Sequence, residues 1–217
     1  MKFQTASGEL AGSPDRLIVA GWTGRDRSAV DHHIEELAAI GVPAPSTVPL
    51  YYQCSPALLT QQPGINVLGP DTSGEAEPFL IRNNGKTWLG LASDHTDRAL
   101  ETYSVAASKQ ICAKPVADVL WSLDAVRDHL DEIELCSWIL EDGDWISYQS
   151  GTLAAILPLE LLIDGANFKD GTAMLCGTLP AIGGVRPAAN FKMALRDPVL
   201  GQSIDWHYKA DALTSIS

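Results

Sequence analysis

Apolar and polar positions alternate along this chain in short blocks, and only a few blocks hold a helical period. Leu17 to Gly21, LIVAG, reads as a short buried strand, with a turn over Trp22 to Asp26 behind it. Ala29, Ile34, Leu37, Ala38 and Ile40 then supply an approximate apolar face, which predicts a helix from about Ser28 to Ile40 stopped by Gly41. Pro43, Pro45 and Pro49 force extended backbone, and a loop is expected from there to about Gly69. Strands dominate the remainder. In GEAEPFLIRNNGKTWLGLAS two apolar, alternating runs flank Asn83-Asn84-Gly85, the strongest hairpin signal in the chain.

Helices are expected over Asp97 to Ser108 and over Ser122 to His129, the latter with Ser122 as its N-cap. Glu132 to Leu140 and Asp144 to Gln149 make a further hairpin around Glu141-Asp142-Gly143. TAMLCGTLPAIGG reads as a buried strand entering a glycine-rich turn, and two more strands are expected at Asn190 to Leu195 and Ser203 to Tyr208. Many strands, few helices and no regular strand-helix alternation predict an α+β, mainly β fold rather than a parallel βαβ sheet. At 217 residues the chain suits one domain with its own core, a small N-terminal lobe over residues 1–50 being the alternative.

Charge and composition narrow the partners. The formal net charge is -12 and no basic patch interrupts it, so nucleic acid is not an expected partner. MKFQTASGEL has one Lys and no apolar core, and the longest apolar stretch, Leu153 to Leu162, is too short to span a bilayer; a cytoplasmic protein without a membrane partner is expected. Cys54, Cys112, Cys136 and Cys176 lie far apart without CxxC or Cys/His pairing, which suits buried reduced thiols better than a zinc site or disulfides.

Five segments could carry chemistry. Glu75 and Glu77 share one face of an extended strand, where two carboxylates converge at a cost unless a cation joins them; hard oxygen ligands favour Mg, Mn or Ca over Zn. The same pair also suits a solvated strand face. Ser93-Asp94-His95-Thr96-Asp97-Arg98 packs acids, a His and an Arg directly after an apolar strand, and reads equally as a site or as a capped helix N-terminus. On the first helix, His32 with Glu35 and His33 with Glu36 sit three residues apart, a spacing that lets a carboxylate orient an imidazole as general base, or simply the polar face of an amphipathic helix. Lys109 and Lys114 could neutralise an enolate or carboxylate, or solvate a surface. Gly177-Thr178-Leu179-Pro180 with Gly183-Gly184 could bring N–H groups and a hydroxyl to an anion, or form a β-turn; no GKS or GKT follows, so it is not a P-loop.

Taken in order, these pieces resemble the fumarylacetoacetate hydrolase superfamily, and more closely a bacterial branch of it that shares SDHTDR followed by SKQ. Its signposts of a GRNY-like turn, H-x-x-E, a Pro-rich segment, E-x-E, ND-x-SARD, a Lys, Q-x-x-x-T and a closing GTP-x-G-x-G are met here in sequence. They fall at Gly24-Arg25-Asp26, His33 to Glu36, Pro45 to Tyr51, Glu75-Ala76-Glu77, Gly90 to Arg98, Lys109, Gln149 to Thr152 and Gly177 to Gly184. The order is kept over nearly the whole chain. Of ND-x-SARD only Asp94 and Arg98 match, Gln149 and Thr152 stand one residue closer than in the family, and a one-residue slip would put His32 and Glu35 in place of His33 and Glu36.

The resemblance implies a fumarylacetoacetase-like β-sandwich roll with a few short helices. It implies a divalent metal, Mg or Mn with Ca as a third option, on Glu75, Glu77 and Asp94. Arg98, Gln149 and Thr178 would bind substrate, His33 (or His32) with Glu36 would activate water, and Lys109 (or Lys114) would hold an oxyanion. The implied reaction is hydrolysis of a carbon-carbon bond in a small 2-oxo acid or 1,3-dicarbonyl such as an acylpyruvate. Decarboxylation, isomerisation or dehydration of a 2-oxo acid is the alternative on the same metal, and a non-catalytic protein binding a small acid the second alternative. A homodimer is expected from the family.

Overall fold

The computed structural model of the protein describes residues 1–39 and 44–213, so Gly41 and its helix stop lie outside the described residues. Two sheets carry the architecture. The first has six strands in the order Trp121–Ser122, Lys86–Ser93, Ala76–Asn83, Thr172–Leu175, Arg16–Gly21 and Leu50–Cys54. The second has five, in the order Asp144–Thr152, Glu134–Glu141, Asn190–Asp197, Gln202–Ala212 and Gly64–Val67. Neighbours are antiparallel except Thr172–Leu175 with Arg16–Gly21 and Gln202–Ala212 with Gly64–Val67.

The two runs flanking Asn83-Asn84-Gly85 are buried at successive positions rather than alternately, because the first sheet is covered on both faces. Ile18, Ala20, Leu80, Leu89, Leu91 and Met174 pack toward the second sheet, in one core with Leu135, Ile139, Tyr148, Phe191 and Leu195. The alternate residues Leu17, Val19, Phe79, Ile81, Ala173 and Leu175 face the other way, where Phe3, Leu59, Val116 and Leu120 cover them. Each larger side chain among these, Val, Leu, Ile, Phe or Met, contributes roughly 1.5–3 kcal/mol when removed from water, before ordering costs are set against it. The second sheet is buried on one face for much of its extent, and Gln202–Ala212 shows the resulting alternation, with Ile204, Tyr208 and Ala210 inward.

Most predicted strands lie within a residue or two of their observed bounds, and the mainly β, α+β fold is the one observed. Three readings need correction. The helix expected over Asp97 to Ser108 is two, Arg98–Glu101 and Val105–Ile111, because Ser104 takes an extended backbone and its side chain accepts from Ala107 N as the cap of the second. The helix expected over Ser122 to His129 is one α-turn, Leu123–Val126, followed by a 3-10 segment, Arg127–Glu132; Ser122 stands at the N-cap without a capping hydrogen bond, and His129 leaves helical geometry while its Nε2 lies 3.1 Å from Asp197 Oδ2. The expected loop before Gly69 holds the strands Leu59–Thr60 and Gly64–Val67, the latter an edge of the second sheet. An N-terminal hairpin, Lys2–Thr5 with Gly8–Ala11, and the helix Leu159–Gly165 were not expected.

The first helix spans Arg27–Ala39, capped by Asp26, whose carboxylate accepts from Ser28 N and Ala29 N. All four cysteines are buried free thiols. Among the described residues no helix is long and apolar enough to cross a membrane.

Candidate metal centre

The hairpin Ala76–Asn83 and Lys86–Ser93 builds the site. Asn84 and Gly85 both have positive φ, 52° and 75°, which is the two-residue turn whose twist suits paired strands. That turn sets the register, Ala76 opposite Ser93, and Asp94 N donates to Glu75 O at 2.9 Å one step beyond it. Glu75 and Glu77 point to the same face by strand periodicity, and Asp94 arrives beside them from across the ladder. One carboxylate oxygen from each of Glu75, Glu77 and Asp94 lies within 4.8 Å of the others.

Glu77 is 2% exposed and Asp94 is 0% exposed, so their charges must be met inside the protein. Lys109, near the end of Val105–Ile111, donates from Nζ to Asp94 Oδ2. Lys114 Nζ lies 2.8 Å from Asp94 Oδ1 and donates to His95 O at 2.6 Å. Arg98 reaches Glu75 Oε1 at 3.0 Å and Glu101 Oε2 at 2.8 Å, and its Nε donates to Ser73 Oγ at 2.7 Å. Burial opposes ionisation of Asp94, yet the two lysine ammonium groups outweigh it and hold its pKa below the ordinary carboxylate range. Glu77 goes the other way: burial, reinforced by the charge of Asp94, pushes its pKa well above the usual value.

Glu77 Oε2 accepts from Gly177 N at 2.7 Å. Gly177 has φ 98°, and a Cβ there would fall 1.6 Å from Thr23 Oγ1, so glycine is required for both conformation and space. Thr178 Oγ1 donates to Ala76 O at 2.7 Å. Gln149 is 1% exposed; its Oε1 accepts from Ala76 N and Ser137 Oγ, and its Nε2 donates to Thr178 Oγ1 and Leu179 O. A substrate contact from Gln149 would exchange one of these bonds.

The structure thus brings together Glu75, Glu77, Asp94, Arg98, Lys109, Lys114, Gln149 and Thr178. His32 and Glu35 are exposed on the first helix, and the side chains of His33 and Glu36 fall outside the described part. Three neighbours escaped the sequence reading. Tyr52 places its ring 5.8 Å from Lys109 Nζ, and Trp22, at φ 61°, donates from Nε1 to Tyr52 OH at 3.4 Å. Tyr208 comes from the second sheet. No periodicity marks such residues, because each reaches the site from a separate segment.

The residues present fit a divalent cation. Three oxygen-donor carboxylates converge, and the buried Asp94 Oδ1 accepts no well-aimed hydrogen bond, leaving a lone pair for a ligand bond. An all-oxygen donor set suits Mg, Mn or Ca rather than Zn.

The dehydratase of 2-keto-3-deoxy-D-arabinonate, in complex with magnesium and 2,5-dioxopentanoate, superposes with a TM-score of 0.66 at 14% identity, over 93% of this chain and 75% of its own. A protein of Oleispira antarctica assigned provisionally as a fumarylacetoacetate isomerase/hydrolase gives 0.65 at 17% identity, over 97% and 100%. Cg1458 gives 0.62 at 14% identity, over 93% and 77%. The fold is therefore of the fumarylacetoacetate hydrolase type. No curated protein matches the sequence significantly. The sequence profile of DUF2848, described as a protein family of unknown function, matches residues 20–208, and the chain belongs to that family.

Proposed function

We propose that this protein is a divalent-metal-dependent enzyme acting on a small 2-oxo acid or 1,3-dicarbonyl, with Glu75, Glu77 and Asp94 as the metal ligands. The convergence of three carboxylates, two of them buried, within 4.8 Å carries this reading. Mg or Mn bound there would act as a Lewis acid toward the carbonyl and carboxylate oxygens of such a substrate. The protein's own groups have separable tasks. The Gly177 N–H holds Glu77 in orientation, and Arg98 steadies Glu75 through its guanidinium. Lys109, already facing Asp94, supplies the positive charge that stabilises negative charge developing on a substrate oxygen. The Tyr52 ring beside Lys109 walls the ammonium from water on one side.

On this reading His33 and Glu36 on the first helix take a proton from water, and the reaction is hydrolysis of an acylpyruvate-like carbon-carbon bond. A second reading is dehydration of a 2-oxo acid. It is favoured by the fold shared with the magnesium-bound dehydratase, and it needs no hydrolytic water. In either case the proposal is of a cytoplasmic homodimer, and the SDHTDR segment followed by SKQ supports a bacterial branch of the superfamily as its origin.

The test is an assay of oxaloacetate, acylpyruvates and 2-keto-3-deoxy acids with Mg or Mn, beside EDTA-treated protein and Glu77→Ala. Turnover that requires both the ion and Glu77 supports the enzyme reading and names the reaction. Turnover that persists in Glu77→Ala after EDTA treatment overturns the metal assignment.

A further inference from the structure

Behind the acid triad four buried polar side chains form one continuous hydrogen-bond chain that the proposed chemistry does not use. His95 Nε2 lies 2.9 Å from Thr72 Oγ1, His95 Nδ1 lies 2.9 Å from Tyr208 OH, and that hydroxyl lies 2.8 Å from Ser93 Oγ. None of the four residues is more than 2% exposed. Polar groups sealed from water cost more than an apolar filling of the same shape unless every one is paired. Here pairing is complete for a neutral imidazole. With the hydrogen on Nδ1, His95 donates to Tyr208, Tyr208 donates to Ser93, and Thr72 donates to Nε2; the other tautomer reverses every link.

The placement of the chain says what it is for. Ser93 and His95 are the residues on either side of Asp94. On the facing segment, a Cβ on Gly74 would fall 2.1 Å from Tyr208 OH and 2.7 Å from Ser93 Oγ, so both hydroxyls press on the backbone that leads into Glu75. Lys114 ties the same loop down by donating to His95 O while its charge faces Asp94 Oδ1. Tyr208 itself belongs to the second sheet, where its ring packs 5.5 Å from that of Phe191 and edge-on to His95 at 5.6 Å. A hydroxyl anchored in one sheet thus fixes the end of a hairpin in the other.

We infer that His95 and Tyr208 are positioning residues of the metal centre, holding Asp94 and Glu75 at the spacing a divalent cation requires. The inference rests on the metal reading above. Side chains behind metal ligands set affinity by fixing ligand geometry, and their loss weakens binding by roughly 10–100-fold.

The experiment is a Mn titration followed by the electron paramagnetic resonance signal of the free ion, at a temperature where circular dichroism shows each variant folded. Tyr208→Phe and His95→Leu should each weaken Mn binding about tenfold or more. His95→Asn should recover part of the loss, because its amide reaches the place of Nδ1 and can pair with Tyr208. Phe191→Leu, which disturbs packing against Tyr208 without removing a polar atom, should lower the melting temperature and leave Mn affinity near that of the parent. Parental affinity in Tyr208→Phe and His95→Leu, with binding lost in Glu77→Ala, would overturn the positioning role alone. Equal weakening by Phe191→Leu and Tyr208→Phe would overturn it too, since packing would then account for the effect. Parental affinity in Glu77→Ala would remove the metal reading and this inference with it.

Discussion

Lys114 Nζ stands 2.8 Å from Asp94 Oδ1 with both side chains wholly removed from solvent. Deleting one partner of a buried ion pair commonly costs about 3–5 kcal/mol, because the remaining charge is stranded. Lys109 still faces Asp94, which places Lys114→Met near the lower end, about 3 kcal/mol. Urea unfolding of the metal-free protein should show that loss, and saturating Mn should restore part of it, since the cation replaces the missing positive charge. A Lys114→Met variant as stable as the parent would show that this pair is compensated from elsewhere.

Removing the charge of Glu77 separates a metal ligand from a merely buried acid. Burial and the neighbouring Asp94 push the Glu77 pKa up, so its ionised form is disfavoured in the metal-free protein. Glu77→Gln should therefore leave metal-free stability unchanged or slightly raised. In the parent, Mg or Mn at a hundred times its dissociation constant should add about 2.7 kcal/mol, and the variant should lose this gain. Thermal unfolding with each ion and with EDTA reads both effects.

Gly177→Ala tests the backbone support of Glu77. The substitution places a Cβ on Thr23 and asks an L residue to hold φ 98°. Destabilisation of more than about 1 kcal/mol is expected, together with weaker metal binding as the N–H to Glu77 is displaced. Calorimetry and metal titration on the same sample check the two parts.

Far from the site, Asp197 closes the turn between the strands Asn190–Asp197 and Gln202–Ala212. Burial works to raise its pKa, but hydrogen bonds from Leu200 N, His129, Gln202 and Val199 N prevail and hold it below the ordinary carboxylate value. A folded-state pKa below the unfolded one contributes stability that is present above the unfolded pKa and is lost as pH falls through the folded one. Asp197→Asn should thus be destabilised at neutral pH, and the gap to the parent should close on acidification through the carboxylate range. Unfolding free energies measured across that range decide it; a gap that is constant with pH would contradict the assignment.

The charged centre was legible where its geometry is local. Asn84-Gly85 announces a two-residue turn, and counting outward from it along both strands sets Glu75 against Asp94. The strands around Leu17, Leu80 and Leu89 were legible too, though neither the burial of the hairpin on both faces nor which strands neighbour one another was. The parallel pairing of Thr172–Leu175 with Arg16–Gly21 joins segments with most of the chain between them, and no period in either reports the other. For the same reason Gly177, Gln149 and Tyr208 could not be attached to particular carboxylates beforehand. The break at Ser104 was hidden because its capping bond competes with a continuous helix that the apolar pattern also permits. Lys2–Thr5 and Gly8–Ala11 carry few apolar residues, which left that hairpin without a signal.

All the charges of the centre, from Glu75 through Asp94 and Arg98 to Lys114, come from one uninterrupted stretch of chain, whereas Trp22, Tyr52 and Thr178 come from stretches before and after it. The charged centre is thus local in sequence, whereas its surround is assembled from distant segments. Changes in the outlying segments alter what surrounds the charged groups while the hairpin register keeps the carboxylates in place. Within the stretch even a single-residue insertion beside Asn84-Gly85 would shift Glu75 against Asp94 and dismantle the cluster at once.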